Sequence, residues 1–168
     1  MQAIRRTWQT FDEMRAAAEQ GDSAAQCYLG ICYQTGQGIA QDYAEALRWF
    51  RRAAEQNDAA AQCYLGFCYQ SGLGVAQEYG QAAKWFREAA EQGDPAAQFN
   101  LGVLYETGQG VPQNVREAVK WFCRAARAGD KTAQHNLGVY YATLEAAEAA
   151  SAAGENPQAA EGDATVSP

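Results

Sequence analysis

No stretch of this chain is apolar for the roughly 20 residues that a bilayer-spanning helix requires, so membrane insertion is not expected. The amino-terminal residues 1–8 contain two arginines but no apolar segment behind them. They do not read as a secretory signal, and the expectation is a cytoplasmic protein. β-Branched residues are scarce while Ala and Gln abound, which makes helix the default conformation. A basic surface is also missing. Of the net charge of −7, five acids lie after Thr143 without a single base, and the body before them balances 15 acids against 13 bases. A phosphate backbone needs a concentrated positive face, so nucleic acid is not an expected partner.

Recognisable catalytic chemistry is absent as well. There is one histidine, His135, and no S-x-x-K, G-x-S-x-G, H-E-x-x-H or G-x-x-x-x-G-K-[ST] pattern. The five cysteines form neither a zinc-ribbon nor a thioredoxin spacing. Cys27/Cys32 and Cys63/Cys68 are each five residues apart, about 140° around a helix, so the two members of a pair face different ways. They read as small core or groove side chains in a reducing compartment, and no metal or cofactor is expected. Cys123 stands where Arg51 and Arg87 stand in other parts of the chain and is expected at the surface, where it could crosslink two chains.

What the chain does contain is self-similarity. Ala25-Gln26-Cys27-Tyr28-Leu29-Gly30 recurs from Ala61, and related segments begin at Ala97 and Ala133, a step of 36 residues each time. Residues 25–60 and 61–96 agree at 24 of 36 positions. Such a period marks a repeat architecture, in which each unit buries its apolar face only against its neighbours.

Each unit reads as two helices. The first, near 23–35, carries Ala25, Leu29, Cys32 and Tyr33 on one stripe. The second, near 43–56, carries Tyr43, Ala46, Leu47, Phe50, Ala53 and Ala54 on its apolar side. The connection between them holds two glycines, at 36/38, 72/74 and 108/110. Between units stand Gly21-Asp22, Asn57-Asp58, Gly93-Asp94 and Gly129-Asp130, each a left-handed stop followed by an Asp N-cap. Gly30, Gly66, Gly102 and Gly138 fall inside helices, where each costs about 1 kcal/mol relative to Ala. A cost repeated in one register predicts close approach of a paired helix. Trp49, Trp85 and Trp121, each followed by Phe, are the expected inter-unit anchors, and the arginines of the second helices are expected on a solvated convex face.

Leu29-Gly30/Tyr33 with Ala46/Phe50 follows the tetratricopeptide pattern, as do Leu65-Gly66/Tyr69 with Ala82/Phe86 and Leu101-Gly102/Tyr105 with Ala118/Phe122. The 13 residues from Tyr33 to Ala46 exceed the tetratricopeptide spacing. The 36-residue period, the G-x-G loop and the Trp-Phe-x-x-Ala-Ala block instead resemble the Sel-1-like repeat family, over about residues 10–143. That resemblance implies an all-α fold, a right-handed α/α superhelix acting as adaptor or scaffold. The residues themselves give a half-unit at 1–22, full units at 23–58, 59–94 and 95–130 within a 23–131 array, a half-unit with helical extension at 132–153, and, from its acidic, Pro/Gly-containing composition, a disordered tail at 154–168. In the amino-terminal half-unit, Phe11 and Met14 are the expected packing residues. A cysteine-rich secreted branch of the family pairs cysteines at positions that here are Ala54 and Gln62, so that disulfide framework is missing. Some members of that branch are assigned antibiotic-binding or hydrolytic activity, which stands as the alternative function. A fragment of a longer array, self-associating through its half-units, is the other.

Carried over by the L-G-x-x-Y anchor, the concave positions are Cys27, Ile31, Gln34 and Thr35 in the first unit, then Cys63, Phe67, Gln70 and Ser71. The third unit supplies Phe99, Val103, Glu106 and Thr107, and the last supplies His135, Val139 and Thr143. Each set is an apolar row apart from the core stripe and ending in a polar rim, the anatomy of a groove for a protein or peptide segment; the alternative is that these rows pack against neighbouring units or face the tail.

Overall fold

The computed structural model describes residues 8, 10–135, 137 and 138. Expectations for Val139, Thr143, the helical extension and the acidic tail therefore lie outside the described residues. Within them the chain is helical, without a strand: α1 (Phe11–Glu19), α2 (Ser23–Thr35), α3 (Tyr43–Glu55), α4 (Ala59–Ser71), α5 (Tyr79–Glu91), α6 (Pro95–Thr107) and α7 (Val115–Arg127). Helical residues resume at 131. Each helix packs on its chain neighbours, and α4 also meets α6, so the first helices of successive units lie side by side.

Local chemistry sets the boundaries. Before α2, α4 and α6 the backbone turns left-handed at Gly21, Asn57 and Gly93, with φ of 102°, 66° and 95°. The following Asp then accepts a hydrogen bond from the third residue on: Asp22 from Ala25 N at 2.7 Å, Asp58 from Ala61 N at 2.9 Å, Asp94 from Ala97 N at 2.7 Å. This satisfies one of the amide donors a helix start leaves unpaired. Asp130 repeats the cap on Ala133 at 2.8 Å. At the other end, Gly36, Gly72 and Gly108 close the helices in the left-handed conformation. The second loop glycine serves a different need. A Cβ at Gly74 would strike the Tyr43 carbonyl, so this loop lies directly on the start of the preceding unit's α3.

Tertiary packing explains the helical glycines. A Cβ at Gly30, Gly66 or Gly102 would stand 2.6, 2.7 or 2.6 Å from the ring of Phe50, Phe86 or Phe122. The phenyl ring of the second helix thus occupies the space a side chain on the first would need. A Cβ at Gly138, in the same register, would meet nothing within 4 Å among the described residues.

The core is a row of clusters, each spanning consecutive helices. Met14, Ala18, Ala25, Leu29, Cys32 and Trp49 form the first, with Phe11 and Trp8 at its margin. Leu47, Phe50, Leu65 and Cys68 anchor the second, and Phe86, Leu101, Leu104 and Trp121 the third. The three repeat-unit tryptophans reach backward: Trp49 of α3 into the α1–α2 cluster, Trp85 of α5 onto the α3–α4 cluster, Trp121 of α7 into the α5–α6 cluster.

Two expectations need correction. Tyr43, assigned to the apolar side of its helix, is 37% exposed, because as the first residue of α3 it lies beyond the core. Its hydroxyl instead accepts a 3.0 Å hydrogen bond from Gln41. The second-helix arginines are exposed but not merely solvated. Arg51 donates to the Tyr69 hydroxyl at 3.1 Å and Arg87 to the Tyr105 hydroxyl at 2.7 Å, each tying one unit to the next. Arg52 and Arg124 lie over the Trp49 and Trp121 rings at 4.6 and 4.5 Å.

Candidate functional site

The candidate binding positions lie on the first helix of each unit, α2, α4 and α6. Residues 27, 31 and 34 follow i, i+4, i+7 spacing and share one side of α2, as do their counterparts 36 and 72 residues later. Phe67 is 41% exposed, a large apolar side chain at the middle of the row. Ile31 and Val103, its counterparts, are half-buried, as are Gln34 and Gln70. Glu106 and His135 are exposed.

The start of the row is closed. Cys27 is buried within the α3–α4 cluster and is not available to a partner, because α4 packs across it. Cys63 is half-buried, and Phe99 is half-buried with its ring 5.6 Å from that of Phe122, so both serve packing first. What the row leaves in water is consequently less than the sequence implied: Phe67 and, at the rim, Glu106 are exposed, while Ile31, packed against the second cluster, and Val103 are half-buried.

The thiols offer little chemistry at neutral pH. Burial, with the nearby Asp58 and Asp94 charges, pushes Cys27 up to about 12. Burial raises Cys63 further, aided by the charge of Asp94 and a hydrogen bond to it. Burial alone lifts Cys68 to about 11 and also raises Cys32. The nucleophilic form of a cysteine is the thiolate, and these four stay protonated. The members of each pair face opposite interfaces, Cys32 toward the first cluster and Cys27 toward the second. All five cysteines are free, and Cys123 is half-buried, less accessible than its alignment with Arg51 and Arg87 suggested. Among the described residues no group of His, Cys, Asp and Glu is arranged to hold a metal ion, and no helix is long and apolar enough to cross a membrane.

Sequence reasoning overlooked a buried amide network. Gln26, Gln62 and Gln98 are buried, and their side-chain amides donate to the carbonyls of Ala18, Ala54 and Ala90 at 3.0, 3.4 and 3.0 Å. Gln26 Oε1 and Gln62 Oε1 each accept at 2.7 Å from Gln56 and Gln92, which end the second helix of the same unit. Gln98 Oε1 is buried without a partner, because Ala128 stands where Gln56 and Gln92 stand. The signal was present: a polar residue recurring inside the otherwise apolar Ala-Gln-x-x-Leu-Gly motif.

The Sel1 repeat family model matches residues 23–58, 59–94, 95–130 and 131–145. Among solved structures, the chain is similar to a protective antigen of uropathogenic Escherichia coli displaying an SLR fold. That alignment has 39% identity and a TM-score of 0.76, and covers 79% of this chain and 28% of that one. A Sel1 repeat protein from Oxalobacter formigenes aligns with 36% identity and a TM-score of 0.72, covering 77% and 55% of the two chains. Cysteine rich protein B of Helicobacter pylori shares the fold at 24% identity and a TM-score of 0.60, covering 76% and 97%. The chain thus spans about a quarter to a half of the first two relatives' lengths. No curated protein sequence matches it. Four consecutive repeat matches over a two-helix unit with this packing leave one assignment: the chain belongs to the Sel1 repeat family.

Proposed function

We propose that this protein is an interaction module whose first helices hold a segment of a partner protein along their shared face, without chemistry of its own. Sel1 repeat proteins are generally protein-interaction scaffolds and generally non-enzymatic. The observation that carries the reading is Phe67, 41% exposed on α4 between half-buried Ile31 and Val103 on the flanking units. A phenyl ring in water gains on burial, and aromatic side chains in such rows are common binding anchors.

The test is a pair of substitutions, Phe67→Asp and Val103→Asp, with partner capture and far-ultraviolet circular dichroism measured together. Phe99 is kept intact because its ring packs on Phe122. Removal of an anchor of this kind costs about 2 kcal/mol or more, so binding is expected to weaken at least tenfold with helicity retained. Unchanged capture by a folded variant would sink the reading.

A further inference from the structure

The first helices differ from the second in charge. α2 and α4 contain no Asp, Glu, Lys or Arg at all, and α6 contains one, Glu106. Every other charged residue within α1–α7 lies on α1, α3, α5 or α7. The aspartates preceding α2, α4 and α6 are engaged as caps. The helices themselves are therefore uncharged in two units and carry a single carboxylate in the third, at the rim, while the capping aspartates keep their charge at the opposite, N-terminal ends.

Glu106 occupies the rim position filled by Gln34 and Gln70 in the units before it. The surrounding backbone is the same in all three. Gln41, Gln77 and Gln113 donate to the carbonyls of residues 34, 70 and 106 at 2.7, 2.7 and 2.8 Å. Only the side chain differs, an exposed carboxylate in place of a half-buried amide. Among the described residues Glu106 has no ion-pair partner; the ion pairs are Arg15–Glu19, Arg48–Glu45 and Lys120–Glu117, all on second helices.

Resting on the reading above, we propose that the partner is an uncharged, apolar polypeptide segment with one Lys or Arg near the end that lies over α6, opposite Glu106. A neutral face penalises a charged segment, since each of its ions would lose water without gaining a counter-charge. The lone carboxylate supplies one counter-charge at one end, and so orients the segment along the array.

The probe is a random twelve-residue peptide library displayed on phage, selected against the whole chain, against Glu106→Lys and against Phe67→Asp. Peptides enriched on the native chain should be apolar, lack acids and carry one base toward one end. Glu106→Lys should exchange that base for an acid while leaving the apolar preference intact. For a synthetic copy of an enriched peptide, Glu106→Gln should weaken binding about two- to fivefold at low salt and change it little at high salt, as for an exposed ion pair. Enriched peptides that are acidic or multiply charged, or a basic preference that survives Glu106→Lys, would overturn the proposal while leaving the groove in place. Equal recovery of the same peptides on Phe67→Asp, or no enrichment on the native chain, would instead remove the groove and this inference with it.

Discussion

At Gly66 two effects of opposite sign compete. Alanine favours a helix interior over glycine by about 1 kcal/mol. Its Cβ, however, would lie 2.7 Å from the ring of Phe86, which is fully buried and has no room to withdraw. Overpacking of this kind costs about 1–3 kcal/mol, so Gly66→Ala is expected to lower stability in urea denaturation, and Phe86→Leu in the same chain to restore part of the loss. The glycine register was legible in the sequence as an unexplained cost. The identity of the neighbour was not, because residues 66 and 86 meet only once the two helices pack. A second residue argues in the other direction. Gln98 Oε1 is buried and unpartnered because position 128 is Ala. Ala128→Gln recreates the donor that Gln56 and Gln92 provide and is expected to stabilise the chain by about 1 kcal/mol, read as a higher urea midpoint with unchanged m-value.

At the scale of the element, repetition provides internal controls. Asp42 caps α3 with hydrogen bonds from Ala44 N at 2.9 Å and Glu45 N at 3.1 Å. Asn114 caps α7 through Glu117 N at 3.2 Å. Glu78, at the same place before α5, makes no side-chain cap bond. Its extra methylene carries the carboxylate past the amides that a shorter acid reaches. Glu78→Asp should therefore stabilise the chain by about 1 kcal/mol, measured as a rise in thermal midpoint. Helix limits were readable to within a residue because the stops and caps are local chemistry: α2 spans Ser23–Thr35 and α3 spans Tyr43–Glu55. The candidate face was less readable. Its residues lie on one side of each helix by spacing alone, yet burial of Cys27 and the tilted ring contact of Phe99 with Phe122 depend on α4 and α7 arriving against them. No periodicity within a single helix reports that.

For the whole molecule, the buried thiols couple the array to pH. Cys32 lies in the first cluster, Cys27 and Cys68 in the second, and Cys63 against the third, so successive interfaces carry thiols held protonated by burial. Folding raises their values above the ordinary 9.0, to about 11 for Cys68 and about 12 for Cys27. The unfolded chain ionises first as pH rises. Their stabilisation is thus complete below about pH 9 and is lost as pH climbs through the folded values. Each thiol contributes a slope of up to about 1.4 kcal/mol per pH unit in that window. Urea midpoints should be flat from pH 7 to 8 and fall from pH 9 to 11, and Cys27→Ala should make the fall shallower. An equally steep decline in that variant would exclude the thiol as a source.

The sequence by itself determined the repeat, the two-helix unit, the caps and the family, because each is written in short-range spacing and recurs every 36 residues. Tertiary structure alone decided which side chains the array leaves in water. Ile31 and Phe67 hold the same place in successive rows, as do Cys27 and Cys63, yet Ile31 is half-buried and Phe67 exposed, and Cys27 is buried and Cys63 half-buried. The same holds for Gln26, Gln62 and Gln98, polar residues made internal by carbonyls eight positions away. Burial is set by the helices that pack across a residue, and those contacts are non-local, so identical motifs acquire different surroundings at different places along the solenoid.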